Sequence, residues 1–251
     1  MKCSLIFPLL LFHLSSQGQI LKHSHNDYEQ AKPLVTALFC QFNSIESDII
    51  EFQGRLIVTH DAQNLSQKPT LEDLYLKPLS RSFQEHSSLK YLFIDVKNRE
   101  ENTLDLLHEL VSKYGRLFLK RGESLVDQKI QIIITGDVKR FDLVSSHLYP
   151  YFFVDGRIAD LNQNINSAIM PIISANFQMI VPWRNGQELS RTQRERLISL
   201  VNQIHHENKK LRFWNTRDEN IFWELLQDIG VDIIGTDHIQ ELNQFLISKY
   251  N

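Results

Sequence analysis

Four short clusters of histidine and carboxylate residues lie within the first hundred positions: His23-Ser24-His25-Asn26-Asp27, Glu46-Ser47-Asp48, His60-Asp61 and Asp95-Val96-Lys97. Glu46 and Asp48 stand two apart in the apolar run 44–50, which reads as a β-strand, so both side chains leave the same face. Two carboxylates converging in a buried setting repel and call for a positive partner. A hard divalent cation with oxygen ligands meets that need, and Asp95, in the apolar run 91–96, can supply a third oxygen. His23, His25 and His60 stand near strand ends, where a histidine can be a general acid or base, a metal ligand or a packed neutral side chain. Two of them can divide acid and base roles in a displacement at phosphorus. Lys97, two residues past Asp95 on the same face, suits a phosphate oxygen. A solvated acidic edge is the plainer account of Glu46 and Asp48, but the flanking Ile45, Ile49 and Ile50 argue for burial.

These side chains need a scaffold, and the rest of the chain supplies its pattern. Strands are expected over 44–50, 91–96, 130–135, 151–154, 169–174, 211–214 and 231–235. Ile20 and Leu21 lead into the first histidines, and a short extension over 55–59 delivers His60. Helices are expected over 33–42, 70–76, 104–111, 190–206, 221–229 and from Ile239 onwards. Near-continuous runs such as Ile132-Ile133-Ile134 belong to strands covered on both faces. Eight strand–helix units in about 230 residues predict an α/β fold, a single-domain (β/α)₈ TIM barrel over residues 19–251. An open doubly wound sheet is the alternative, but the chain has nine glycines and no Gly-rich loop after its first strand. In a barrel, His23, His60, Lys97, Trp214 and Asp237 fall at or just after C-terminal strand ends, where active sites of this fold lie.

Lys2, the apolar run 5–14 and then Ser15, Ser16, Gln17 and Gly18 read as a signal peptide over residues 1–18, with secreted or periplasmic location following from it. The run is too short to span a bilayer, and a buried terminal strand or helix is the other reading. Cleavage removes Cys3 and leaves Cys40 alone, a small hydrophobe in an apolar stretch, so no intrachain disulfide is expected. With 251 residues, 42% of them hydrophobic, the chain can bury one sizeable core without one. A net charge of −3 with no basic stripe gives no reason to expect nucleic-acid binding. A monomer is expected.

The ordered motifs carry a resemblance. His23 onward, Ser44-Ile45-Glu46-Ser47-Asp48, His60-Asp61, Pro69-Thr70-Leu71-Glu72, Asp95-Val96-Lys97, Trp214-Asn215-Thr216 and residues 230–237 together resemble the glycerophosphodiester phosphodiesterases. These belong to the wider phospholipase-C-like phosphodiesterase superfamily of TIM barrels. The string at 23–28 looks most like a secreted bacterial branch, and the strand at 44–49 is similar to sphingomyelinase D. The resemblance implies Mg²⁺ or Ca²⁺ on Glu46, Asp48 and Asp95, His23 and His60 as an acid–base pair, Lys97 on phosphate, and Trp214 lining the substrate pocket. An ordinary core aromatic is the other reading of Trp214.

The chain departs from the family pattern in three places. His-Arg-Gly is His23-Ser24-His25 here, so a phosphate-binding arginine is missing, and His25 either fills that role or is itself the catalytic histidine. The usual Pro-Glu-Asn-Thr is absent. Asp95 stands where glutamate is common. The implied function is metal-dependent cleavage of a phosphodiester small molecule, such as a glycerophosphodiester, or of a phospholipid reached by transient membrane contact. The second case needs an apolar lip, for which Phe152, Phe153, Trp183 and Trp214 are candidates. A barrel that binds a phosphorylated ligand without cleaving it is a third reading, against which the complete carboxylate set argues.

Overall fold

Alternation along each strand is what builds this molecule, because it sends every second side chain inward and the others toward a helical coat. The computed structural model describes residues 19–81, 88–98, 102–124, 129–184 and 188–250. The signal peptide expected over 1–18 lies outside them. Nine strands form: β1 (Leu21–Ser24), β2 (Ser44–Phe52), β3 (Arg55–Val58), β4 (Tyr91–Val96), β5 (Gln131–Gly136), β6 (Phe152–Gly156), β7 (Ile172–Asn176), β8 (Lys210–Trp214) and β9 (Ile233–Thr236). All except β3 run parallel, in the order β1-β9-β8-β7-β6-β5-β4-β2, and pairing of β1 with β2 closes the ring. The fold is therefore the eight-stranded barrel that the sequence predicts.

β3 is the extra piece. It pairs antiparallel with the far end of β2 through a two-residue turn, Gln53 and Gly54, with φ of 52° and 73°. Positive φ at both positions is the geometry whose twist matches a hairpin, and Gly54 takes it without strain.

The coat consists of α1 (Val35–Phe39), α2 (Lys77–Arg81), α3 (Thr103–Lys113), α4 (Arg140–Ser145), α5 (Phe177–Ile180), α6 (Arg191–His206), α7 (Asn220–Asp228) and α8 (Ile239–Tyr250). The helix expected over 33–42 shrinks to the five residues of α1, because Leu34 and Gln41 take φ of 62° and 55° on either side of it. The helix expected over 70–76 begins at the expected cap, Thr70 Oγ1 accepting from Asp73 N at 3.2 Å. It then widens to a π turn over Glu72–Leu76, just ahead of Pro78, whose ring nitrogen cannot donate to the preceding turn. Ser190 and Gln193 cap α6 reciprocally.

The larger apolar core lies between strands and helices. A separate cluster of Leu21, Tyr91, Phe93, Leu119, Ile133, Phe153, Ile172 and Ile233 plugs the barrel from inside. Two residues further along those same strands come His23, Asp95, Thr135, Asp155 and Ser174, so a polar layer sits directly above the plug. This contradicts two proposed lip residues: Phe153 belongs to the plug, and Phe152 is buried on the outer face, stacked on Tyr149. Trp183 is buried as well, edge-on to Phe222 at 5.2 Å. Of the four candidates only Trp214 is exposed.

Candidate active site

β2 and β4 pair with Asp48 opposite Asp95, and alternation puts Glu46 on the same face two residues earlier. One oxygen from each of Glu46, Asp48 and Asp95 lies within 4.8 Å of the others. The sequence-predicted trio is thus brought together. Asp48 Oδ1 and Asp95 Oδ1 are buried without a hydrogen-bond partner. An all-oxygen donor set with orphaned buried carboxylate oxygens fits a hard divalent cation such as Mg²⁺ or Ca²⁺.

Protein cations press on the same oxygens. Lys97 Nζ lies 2.8 Å from Asp95 Oδ2 and 2.9 Å from Asp48 Oδ2. Burial pulls the lysine pKa down, but the two carboxylates outweigh it and raise it. Burial pushes the Asp95 carboxyl up, with Lys97 opposing and Asp48 and Glu46 adding repulsion. Tyr28 donates to Asp48 Oδ2 at 2.9 Å, which, after burial, raises its hydroxyl pKa further. Across the barrel, Arg212 Nη1 reaches Glu46 Oε2 at 2.6 Å while its Nε donates to Ser174 Oγ at 3.0 Å. Burial raises the Glu46 pKa, yet Arg212, His23 and His25 together hold it well below the carboxylate range.

The structure separates the three histidines. His23 is fully buried, with Nδ1 2.7 Å from Ser44 Oγ and Nε2 2.7 Å from Arg212 Nη1 and 2.8 Å from Glu46 Oε2. Burial first and Arg212 second lower its pKa to about 4, so it is neutral at physiological pH. His25 and His60 are open to solvent, at 39% and 65% side-chain exposure. Each turns Nδ1 onto a carboxylate, His25 onto Asp237 at 2.7 Å and His60 onto Asp48 at 2.8 Å. That leaves both Nε2 atoms free of hydrogen bonds among the described residues, with His25 Nε2 4.0 Å from Glu46 Oε1. Burial lowers the His25 pKa, but Asp237 and Glu46 outweigh it and the net shift is upward.

Beside the carboxylates a cavity of about 210 Å³ is lined by His25, Arg212, Trp214, Asp218 and Asp237, among others. Trp214 is part of its wall and is exposed rather than a core aromatic.

Sequence reasoning missed Arg212 and Tyr28. Arg212 carried a signal, a lone arginine inside the apolar strand 211–214 on the same face as Trp214. Tyr28 carried none, because a left-handed turn at Asn26, φ 44°, is what swings it back over Asp48.

A description of the AIM6-like phosphodiesterase domain matches residues 16–91, the segment that holds His23, His25, Glu46, Asp48 and His60. The altered inheritance of mitochondria protein 6 homolog of Arthroderma benhamiae is 28% identical over 86% of this chain and 81% of its own length. Altered inheritance of mitochondria protein 6 of Eremothecium gossypii is 23% identical over 89% of this chain and 68% of its own. The crystal structure of a glycerophosphodiester phosphodiesterase from Parabacteroides distasonis superposes with a TM-score of 0.62 at 14% identity, covering 92% of this chain and 98% of that one. L. pealei PLC21 superposes with a TM-score of 0.54 at 11% identity, covering 88% of this chain and 33% of that one.

The barrel fold is shared with these solved phosphodiesterase and phospholipase structures.

Within that fold, the C-terminal mouth is where this chain gathers its carboxylates, the exposed imidazoles of His25 and His60, and the indole of Trp214.

Proposed function

We propose that this chain is a metal-dependent phosphodiesterase in which His25 and His60 exchange protons on either side of the phosphorus. The observation that carries the reading is the shared pose of these two imidazoles, each Nδ1 on a carboxylate and each Nε2 free, flanking the Glu46, Asp48 and Asp95 oxygens. Those three residues would hold Mg²⁺ or Ca²⁺, which, when bound, stabilises negative charge developing on the phosphate. One histidine takes the proton of the attacking hydroxyl, from water or from the substrate itself, as the new O–P bond forms. The other gives its proton to the alkoxide released as the old O–P bond breaks. Asp237 keeps His25 oriented and favours its protonated form, in the manner of an acid behind a catalytic histidine. His23, sealed and neutral, positions Glu46 rather than meeting substrate. Lys97 is placed to share its charge with a phosphate oxygen, and Trp214 to line the leaving-group side.

Turnover of bis-(p-nitrophenyl) phosphate and of glycerophosphodiesters with added Mg²⁺ or Ca²⁺ tests this. Loss of turnover in both His25→Ala and His60→Ala is the expected result, and unchanged activity in either variant sinks the assignment.

A lipid substrate is favoured by one observation. Exposed apolar side chains stand just past β6 at Ile158, in α5 after β7 at Met179 (81% exposed), and at the last residue of β8, Trp214. Co-sedimentation with phospholipid vesicles that weakens in Met179→Ser supports a membrane-facing enzyme, and its absence favours soluble diesters. An exported monomer completes the proposal, the export resting on the signal peptide read over residues 1–18. N-terminal sequencing of the mature protein and light scattering check these two points.

A further inference from the structure

The mouth over β5 and β6 holds an arrangement that the proposed reaction leaves unused. Asp155 is fully buried at the end of β6, and its Oδ2 accepts from Thr135 Oγ1 at 3.0 Å and from Arg157 Nη1 at 2.6 Å. Arg157 Nη1 also lies 3.2 Å from Asp155 O and 3.0 Å from Gly156 O, and Nη2 donates to Thr135 Oγ1 at 2.9 Å. Four contacts thus pin a guanidinium whose side chain is still 30% exposed. Its Nε–H and the second N–H of Nη2 have no partner among the described residues. These two donors stand at the C-terminal end of the barrel, where an anion can take them up. Holding the fork rigid in advance lowers the entropy cost of binding an anion there.

Position says which anion. Thr135 is the strand partner of Asp95, and Asp155 lies one strand beyond. Thr135, one anchor of Arg157, is therefore one strand spacing from Asp95, and Asp155, the other, is two, which sets the guanidinium roughly 5–10 Å from the carboxylate trio. A second acidic substituent on a substrate whose phosphate is held at the trio lies within reach of that guanidinium.

We propose that Arg157 is a specificity-determining residue that binds a second acidic group, a phosphate monoester or a carboxylate, on the substrate's headgroup. This rests on the phosphodiesterase reading above and extends it.

The test compares three diesters, glycerophosphoglycerol with no second charge, glycerophosphoserine with a carboxylate, and glycerophosphoinositol 4-phosphate with a phosphate monoester. In Arg157→Met, kcat/KM for an acidic headgroup relative to glycerophosphoglycerol should fall roughly 10- to 100-fold, mainly through KM, the scale of one or two hydrogen bonds to a charged group. Arg157→Lys should restore part of the ratio, and the larger of the two ratio changes identifies the group. An equal loss on all three substrates, or no loss, overturns the proposal. Should Arg157→Met fail to fold, Thr135→Val removes one anchor of the guanidinium and must move the same ratio. If the wild type cleaves none of the three, the phosphodiesterase reading fails separately. Calorimetric binding of glycerophosphoserine and glycerophosphoinositol 4-phosphate then decides, since no binding, or equal affinity for wild type and Arg157→Met, overturns the role of Arg157.

Discussion

Asp237 Oδ1 lies 2.7 Å from His25 Nδ1, although the two residues are 212 positions apart in the chain. β1 and β9 are neighbours in the barrel wall, so the contact spans the seam where the first strand meets the last. Asp237 N donates in turn to Asp218 Oδ2 at 3.0 Å, which holds the carboxylate in place. His25→Ala should reduce kcat on the order of 10²- to 10⁴-fold, the usual scale for a general acid or base. Asp237→Asn should cost less and should also move the pH profile. Asp237 raises the His25 pKa, so removing its charge should shift the corresponding limb of kcat/KM against pH toward acid. An unmoved profile would mean that His25 does not titrate in the rate-determining step.

Cation binding should be visible without turnover. A ligand at a hundred times its Kd stabilises a fold by about 2.7 kcal/mol, which for a chain of this size is a rise in Tm of about 5–10 °C. Wild type should show that rise with Mg²⁺ or Ca²⁺ and lose it with chelator, and Glu46→Gln and Asp95→Asn should not show it. A rise retained in both variants places the cation elsewhere.

Gly136 follows Thr135 at the end of β5 with φ +85°, and a Cβ built there would clash with Asp95 Oδ1 and Val96 O. Gly136→Ala therefore combines a strained backbone with displacement of a carboxylate. It should destabilise the fold by about 1–3 kcal/mol in urea unfolding, and it should blunt the cation-induced rise in Tm. A variant as stable as wild type with full cation response contradicts this.

His23 should register in stability at acid pH. Its folded pKa, about 4, lies below the ordinary histidine value of 6.5, so the unfolded chain binds more protons between these values. The stability it contributes is present above 6.5 and is lost as pH falls toward 4, a difference on the order of 2–4 kcal/mol. Urea unfolding at pH 6.5, 5.5 and 4.5 should show a steeper decline for wild type than for His23→Gln. Parallel curves would mean that the buried imidazole is already charged.

What the sequence made legible was whatever depends on short spacing. The two-residue step from Glu46 to Asp48, the strand end at Asp95 and the cap at Thr70 are local, and all appear as read. Contacts across the barrel were not legible, since Arg212 reaches Glu46 over 166 positions. Nor did periodicity tell the fates of His23 and His25. β1 ends at Ser24, and only the backbone turn through Asn26 makes one imidazole sealed and the other open. Phe152 and Phe153 misled for a related reason: a strand covered on both faces is apolar throughout, so its pattern does not distinguish plug, outer wall and lip.

His60 does not ride on a barrel strand. β2 continues beyond the wall, turns at Gln53 and Gly54, and returns as β3, and just past β3 Thr59 N donates to Asp48 O at 3.2 Å. The hairpin is therefore a ruler, and the length of its turn decides which returning residue comes level with Asp48. One residue added at that turn would slide a neighbour into the place of His60 while leaving the eight-stranded wall as it is. Half of the proton-transfer machinery is thus hung on an adjustable arm, so its reach can change by insertion or deletion independently of the barrel.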